Sequence, residues 1–80
     1  MFLDELDKVE LGDVIIVEWH YQKTSNYVVT EIKENELIVN NGDKGYAIEL
    51  ERFKKCIESG GVKSCLIKTG SKIRTVFREK

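Results

Sequence analysis

Eighty residues are enough for one small domain, and a chain that is 41% hydrophobic and 34% charged, with both signs present, is neither disordered nor fibrous. The formal net charge of −1 hides a division: residues 1–50 carry four lysines against 11 acidic residues, a net of −7, and residues 51–80 carry nine Lys or Arg against three Glu, a net of +6. The longest aliphatic run, Val14 to Val17, is far too short to span a bilayer, so no membrane partner is expected.

Phe2, Leu6 and Val9 recur at helical spacing, and Asp4 and Glu5 suit a helix N-terminus. Residues 1–10 therefore read as a short helix or an extended arm. After the Gly12-Asp13 turn, the β-branched run from Val14 reads as a strand reaching Tyr21. Its odd-numbered face, Ile15, Val17, Trp19 and Tyr21, is wholly apolar or aromatic and should point to the core. Its other face begins with Val14 and Ile16 and ends with Glu18 and His20; the N-terminal segment would cover its apolar start.

Gln22 to Asn26 is a polar loop, and Tyr27 to Ile32 is a second strand. Lys33 to Glu36 reverses the chain into Leu37-Ile38-Val39, which pairs Ile32 with Leu37. Asn41-Gly42 is a hairpin signal leading into Tyr46-Ala47-Ile48, with the register of Val39 open between a two-residue and a three-residue loop. From Glu49 to Ser59 the period changes. Leu50, Phe53 and Ile57, with Cys56 beside them, form the apolar stripe of a short helix that Gly60 stops. Val62 to Lys68 and Lys72 to Arg78 then form a last hairpin. A turn at Thr69-Gly70 pairs Leu66 with Ile73, Ser64 with Thr75 and Val62 with Phe77 as one core-facing set. Lys63, Cys65, Ile67, Lys72, Arg74 and Val76 are then left on the outer face.

The sum is a single, mainly β domain over residues 1–80, with about six strands and one short helix between strands four and five. Curling removes sheet edges, so the expected architecture is a small antiparallel barrel or a strongly curled meander. The order of elements resembles that of SH3-like small barrels, and Leu11-Gly12-Asp13-Val14 resembles the start of the first strand in many of them. The resemblance implies a fold and no particular activity.

No catalytic motif is visible. Gly60-Gly61-Val62-Lys63-Ser64 lacks the preceding glycine of a phosphate-binding loop, and no G-x-S-x-G, H-E-x-x-H or C-x-x-C occurs. The only histidine, His20, has no evident partner. Cys56 and Cys65 cannot make a zinc site with one distant histidine; their spacing leaves a disulfide open, and in a reducing compartment they read as buried free thiols. No enzyme, metal or cofactor is expected. The N-terminus has no basic and apolar leader pattern, and the expectation is a soluble, cytoplasmic protein.

Two binding readings remain. In the first, the domain is a protein-interaction module or small adaptor, self-associating or docked on another protein. Its candidate surfaces are the aromatics Trp19, Tyr21 and Tyr27 around the first loop and the outer-face aliphatics Ile67 and Val76. In the second, Lys63, Lys72, Arg74 and Arg78 on the last hairpin, with Lys55 on the helix, follow a nucleic-acid backbone. Folding either displays that basic stripe or cancels it against the acidic half.

Overall fold

The computed structural model describes residues 2–79. A 3₁₀ helix, Leu3–Lys8, precedes six strands: β1 (Val14–Trp19), β2 (Ser25–Lys33), β3 (Glu36–Asn41), β4 (Lys44–Glu49), β5 (Val62–Thr69) and β6 (Lys72–Arg78). The helix α1 (Leu50–Glu58) lies between β4 and β5. All pairings are antiparallel, in the order β4-β3-β2-β1-β5-β6.

The first four strands form a meander, and the fifth returns to pair with the first. The chain leaves the β4 edge along α1 and comes back beside β1. Laid flat, β4 and β5 would be about 19 Å apart, four strand spacings. Nine helical residues span only about 13 Å. The sheet curls around the helix, whose Leu50, Phe53 and Ile57 are buried with the inner-face side chains. It does not close: β4 and β6 are not paired, which corrects the barrel expectation in favour of the curled meander.

The inner face holds the core. Ile15 and Val17 of β1, Val29 of β2, Leu37 and Val39 of β3, and Cys65 and Ile67 of β5 are buried there. Leu6 and Val9 cover one end, and Leu50, Phe53 and Ile57 of α1 cover the other side. Each fully buried aliphatic side chain is worth about 1.5–3 kcal/mol relative to exposure.

α1 follows its sequence signal closely. Its stripe of Leu50, Phe53 and Ile57 is buried, and the helix ends in a left-handed Gly60 at φ +89°. The Gly60 N–H donates to the Ile57 carbonyl at 3.2 Å and the Gly61 N–H to the Cys56 carbonyl at 3.1 Å. This is the pair of hydrogen bonds that a glycine at this position permits and a side chain would strain.

The last hairpin differs from expectation. Its loop is Gly70-Ser71, with Thr69 opposite Lys72, and Gly70 takes φ +60° at the first loop position. The pairs are Lys68–Ile73, Ile67–Arg74, Leu66–Thr75 and Cys65–Phe77, with Val76 as an extra residue between the last two. β5 also pairs with β1, placing Ile67 beside Ile15 and Cys65 beside Val17. Cross-strand neighbours share a face, so Ile67 and Cys65 must join the core set of β1. The expected outer aliphatics Ile67 and Val76 are therefore both fully buried, while Ile73, expected inside, is 60% exposed.

Candidate interaction surface

The outer face of the sheet carries an apolar set that no element among the described residues covers. Across the strands run Val28, Val14, Lys68 and Ile73 in one row and Asn26, Ile16, Leu66 and Thr75 in the next. Val28 and Ile73 are exposed, and Val14, Ile16 and Leu66 are half-buried. None of the five aliphatics belongs to the core cluster or packs against it. The N-terminal segment does not cover Val14 and Ile16, contrary to expectation. Its buried residues Leu6 and Val9 lie in the core instead, and the Phe2 N–H donates to Val76 O of β6 at 2.7 Å.

Folding neutralises one residue of the basic stripe and a neighbouring lysine outside it. Arg74 shares the inner face with Ile67, and its guanidinium reaches two carboxylates of the acidic half. Nη1 donates to Glu5 Oε2 at 2.9 Å, and Nη2 lies 3.6 Å from Asp13 Oδ2. Asp13 is buried and also accepts the Glu10 N–H at 2.9 Å. One arginine from the last strand thus ties the 3₁₀ helix and the start of β1 together, the kind of forked contact that suits its geometry. On α1, Lys54 donates to both Asp7 oxygens at 3.0 Å, and that carboxylate holds the Lys54 ammonium above its ordinary value.

The other basic candidates do not gather. Lys72 lies on the strand face of Arg74, but the extra residue Val76 shifts the alternation, so Arg78 stands opposite Ser64 on the outer face. Lys63 is exposed where β5 slips against β1, and its carbonyl accepts the Glu79 N–H at 2.8 Å. Lys55 is exposed on α1, a separate element from the hairpin.

The aromatic candidates separate as well. Trp19 is half-buried edge-on to Phe53, with ring centroids 6.3 Å apart, and its indole N–H donates to Ser25 Oγ at 3.1 Å. Tyr27 is half-buried and edge-on to Tyr46 at 6.1 Å. Tyr21, expected on the core face, lies instead beyond the end of β1, 95% exposed and tilted against His20 with ring centroids 6.0 Å apart. His20 meets Glu79 Oε2 at 2.7 Å.

Cys56 and Cys65 are both free thiols, half-buried and buried respectively. Burial alone pushes the Cys65 thiol up to about 12, so it stays protonated and unreactive at neutral pH. Among the described residues no group of three or more His, Cys, Asp or Glu is placed to hold a metal ion, and no helix is long and apolar enough to cross a membrane.

The sequence contained one signal for the outer face: Val14 and Ile16 form a second apolar pair on β1. Leu66 and Ile73 were obscured, because a local hairpin register places them inside. Comparison of the chain with protein-family models, curated proteins and solved structures gives no match.

Proposed function

We propose that this chain is a non-catalytic protein-interaction module that docks a partner protein on the outer face of β1, β2, β5 and β6. One observation carries the reading: Val14, Ile16, Val28, Leu66 and Ile73 lie together on a sheet face that neither helical segment covers. An uncovered aliphatic cluster with a polar rim is the ordinary mark of a protein-binding surface. Lys68 emerges within it and Arg78 stands opposite Ser64 at its rim, which favours a partner that is apolar with carboxylates at its edge.

The nucleic-acid reading has less support. Arg74 and Lys54 are held by carboxylates, and Lys72 and Arg78 lie on different faces.

The test is affinity capture with the wild-type chain and with Ile73→Glu. A partner held by the wild type and lost with Ile73→Glu, at unchanged thermal stability, supports docking on this face. Equal retention by both removes the face from consideration. Binding to DNA or RNA that weakens steeply with salt and is lost in the double variant Lys72→Glu, Arg78→Glu moves the function to nucleic acid.

A further inference from the structure

β4 is an open sheet edge. The two-residue loop Gly42-Asp43 makes Asn41 and Lys44 a hydrogen-bonded pair, and alternation makes Val39–Tyr46 and Leu37–Ile48 hydrogen-bonded pairs too. The Leu50 N–H continues the same pattern, donating to the Asn35 carbonyl at 2.9 Å. The backbone groups of Gly45, Ala47 and Glu49 therefore point away from β3. Among the described residues no backbone hydrogen bond from another element reaches them. The centre of this edge carries no Pro, Lys or inward-pointing charge of the kind that usually blocks strand addition.

We infer that two copies of this chain pair antiparallel along β4, about a two-fold axis at Ala47, to make one continuous twelve-stranded sheet. The register follows from the residues. An isologous pairing that matches outward backbone groups can centre on any residue from Gly45 to Glu49, but only centring on Ala47 pairs all three of Gly45, Ala47 and Glu49 within the strand. Centring on Glu49 sets two carboxylates face to face. Centring on Gly45 sets Lys44 against Tyr46. Centring on Ala47 sets the small Ala47 side chains together, Gly45 against Glu49, and Tyr46 of each copy against Ile48 of the other.

That last pair is apolar on both sides and uses surface the single chain leaves exposed, since Tyr46 is 44% exposed. Beside Ile48 lies an open hollow of about 220 Å³, lined by Ala47, Ile48 and Glu49 of β4 and Arg52, Phe53 and Cys56 of α1. The second copy's Tyr46, opposite Ile48, stands beside it and keeps its edge contact with its own Tyr27. In this register the two Glu49 carboxylates are about 13 Å apart, four strand residues, and beyond the ~8 Å screening length at physiological salt. An edge contact of this kind is smaller than the ~1,200 Å² of a standard interface, so the dimer forms and dissociates with concentration. It is independent of the outer-face reading: the residues differ, and Ile73→Glu leaves the β4 edge untouched.

The experiment combines sedimentation with amide exchange on the full chain across a concentration series. The expected mass rises from 9.2 kDa towards twice that value. Exchange at Gly45, Ala47 and Glu49 slows in step, about tenfold once nine chains in ten are paired. Ala47→Pro removes one outward N–H and no bond to β3, and Ala47→Glu places two carboxylates on the axis. Both variants should remain 9.2 kDa at every concentration. If Ala47→Pro does not fold, Ala47→Glu decides. A wild-type chain that stays monomeric throughout overturns the inference. So does a dimer that survives Ala47→Glu, or one whose protection rises at Val14, Ile16 and Leu66 instead.

Discussion

The two faces of this one sheet both carry aliphatic side chains and meet opposite fates. The inner face of β5 offers Cys65 and Ile67, both fully buried; the outer face offers Leu66, half-buried, with exposed Ile73 beside it on β6. The difference is not one of hydrophobicity. Both helical segments lie on the inner side, and β5 joins the sheet through β1, whose Ile15 and Val17 already face inward. A strand with two apolar faces takes its inside from its neighbour. The face left over becomes surface, and its aliphatics are then available for binding.

The sharpest way to break this comparison is to truncate one aliphatic on each face. Ile67→Ala should lower stability in urea unfolding by about 2–5 kcal/mol, because it opens a cavity in a packed core. Ile73→Ala should change it by less than ~0.5 kcal/mol. Similar losses at both sites would mean that the faces are not distinct.

The second effect concerns what ties the inner cover down. Arg74→Ala leaves the buried Asp13 carboxylate with the Glu10 N–H and removes the hydrogen-bond donor of Glu5, which keeps only the longer Lys8 pair at 3.9 Å. We expect a loss of about 1.5–3 kcal/mol, the range for hydrogen bonds to charged groups. Arg74→Lys should restore only part of it, since an ammonium cannot span both carboxylates as a fork. Full recovery with Lys would show that charge alone matters there.

A third test reads the inner face through pH. The Cys65 thiol ordinarily titrates at 9.0 and in the fold at about 12. Between these values the unfolded chain has released its proton and the folded chain has not, so the unfolded state binds fewer protons. Stability therefore falls as pH rises from about 9 towards 12, by about 1.4 kcal/mol per pH unit. Lys54 adds to the loss at higher pH, because its folded value lies above the ordinary 10.5 and its contribution disappears as pH rises through it. Urea unfolding between pH 8 and 10.5 isolates the thiol. Cys65→Ala should flatten the slope there, and an unchanged slope would place its origin elsewhere.

The smallest stability effect, and the most informative for binding, is Ile73→Glu. It should cost less than ~0.5 kcal/mol while abolishing capture of a partner through the outer face. A large loss of stability would instead mean that Ile73 supports the fold.

Several features were legible locally. The stripe of Leu50, Phe53 and Ile57 with Gly60 beyond it specified α1. Ile15 and Val17 identified the inner face of β1. The Ile32–Leu37 pair also lies where the polar reversal at Glu34-Asn35 implies, with Asn35 at φ 60°. These depend on period, turn chemistry and neighbours a few residues apart. The last hairpin has apolar residues at both phases, so its own pattern does not choose a side. The choice came from β1, some fifty residues earlier. The candidate surface suffered the same uncertainty: Val14 and Ile16 were visible as a second apolar pair, but Leu66 and Ile73 read as core, and Ile67 and Val76 read as surface.

By itself, then, the sequence determined that this is a mainly β domain of about six strands with one helix after the fourth, and that its charges are divided along the chain. Only the tertiary structure decided that the sheet stays open, that β5 pairs with β1, and that Arg74 and Lys54 meet Glu5, Asp13 and Asp7. The physical reason is range. Hydrophobic period and turn residues act over one element, whereas the face a strand buries and the partner a charge finds depend on contacts between distant parts of the chain.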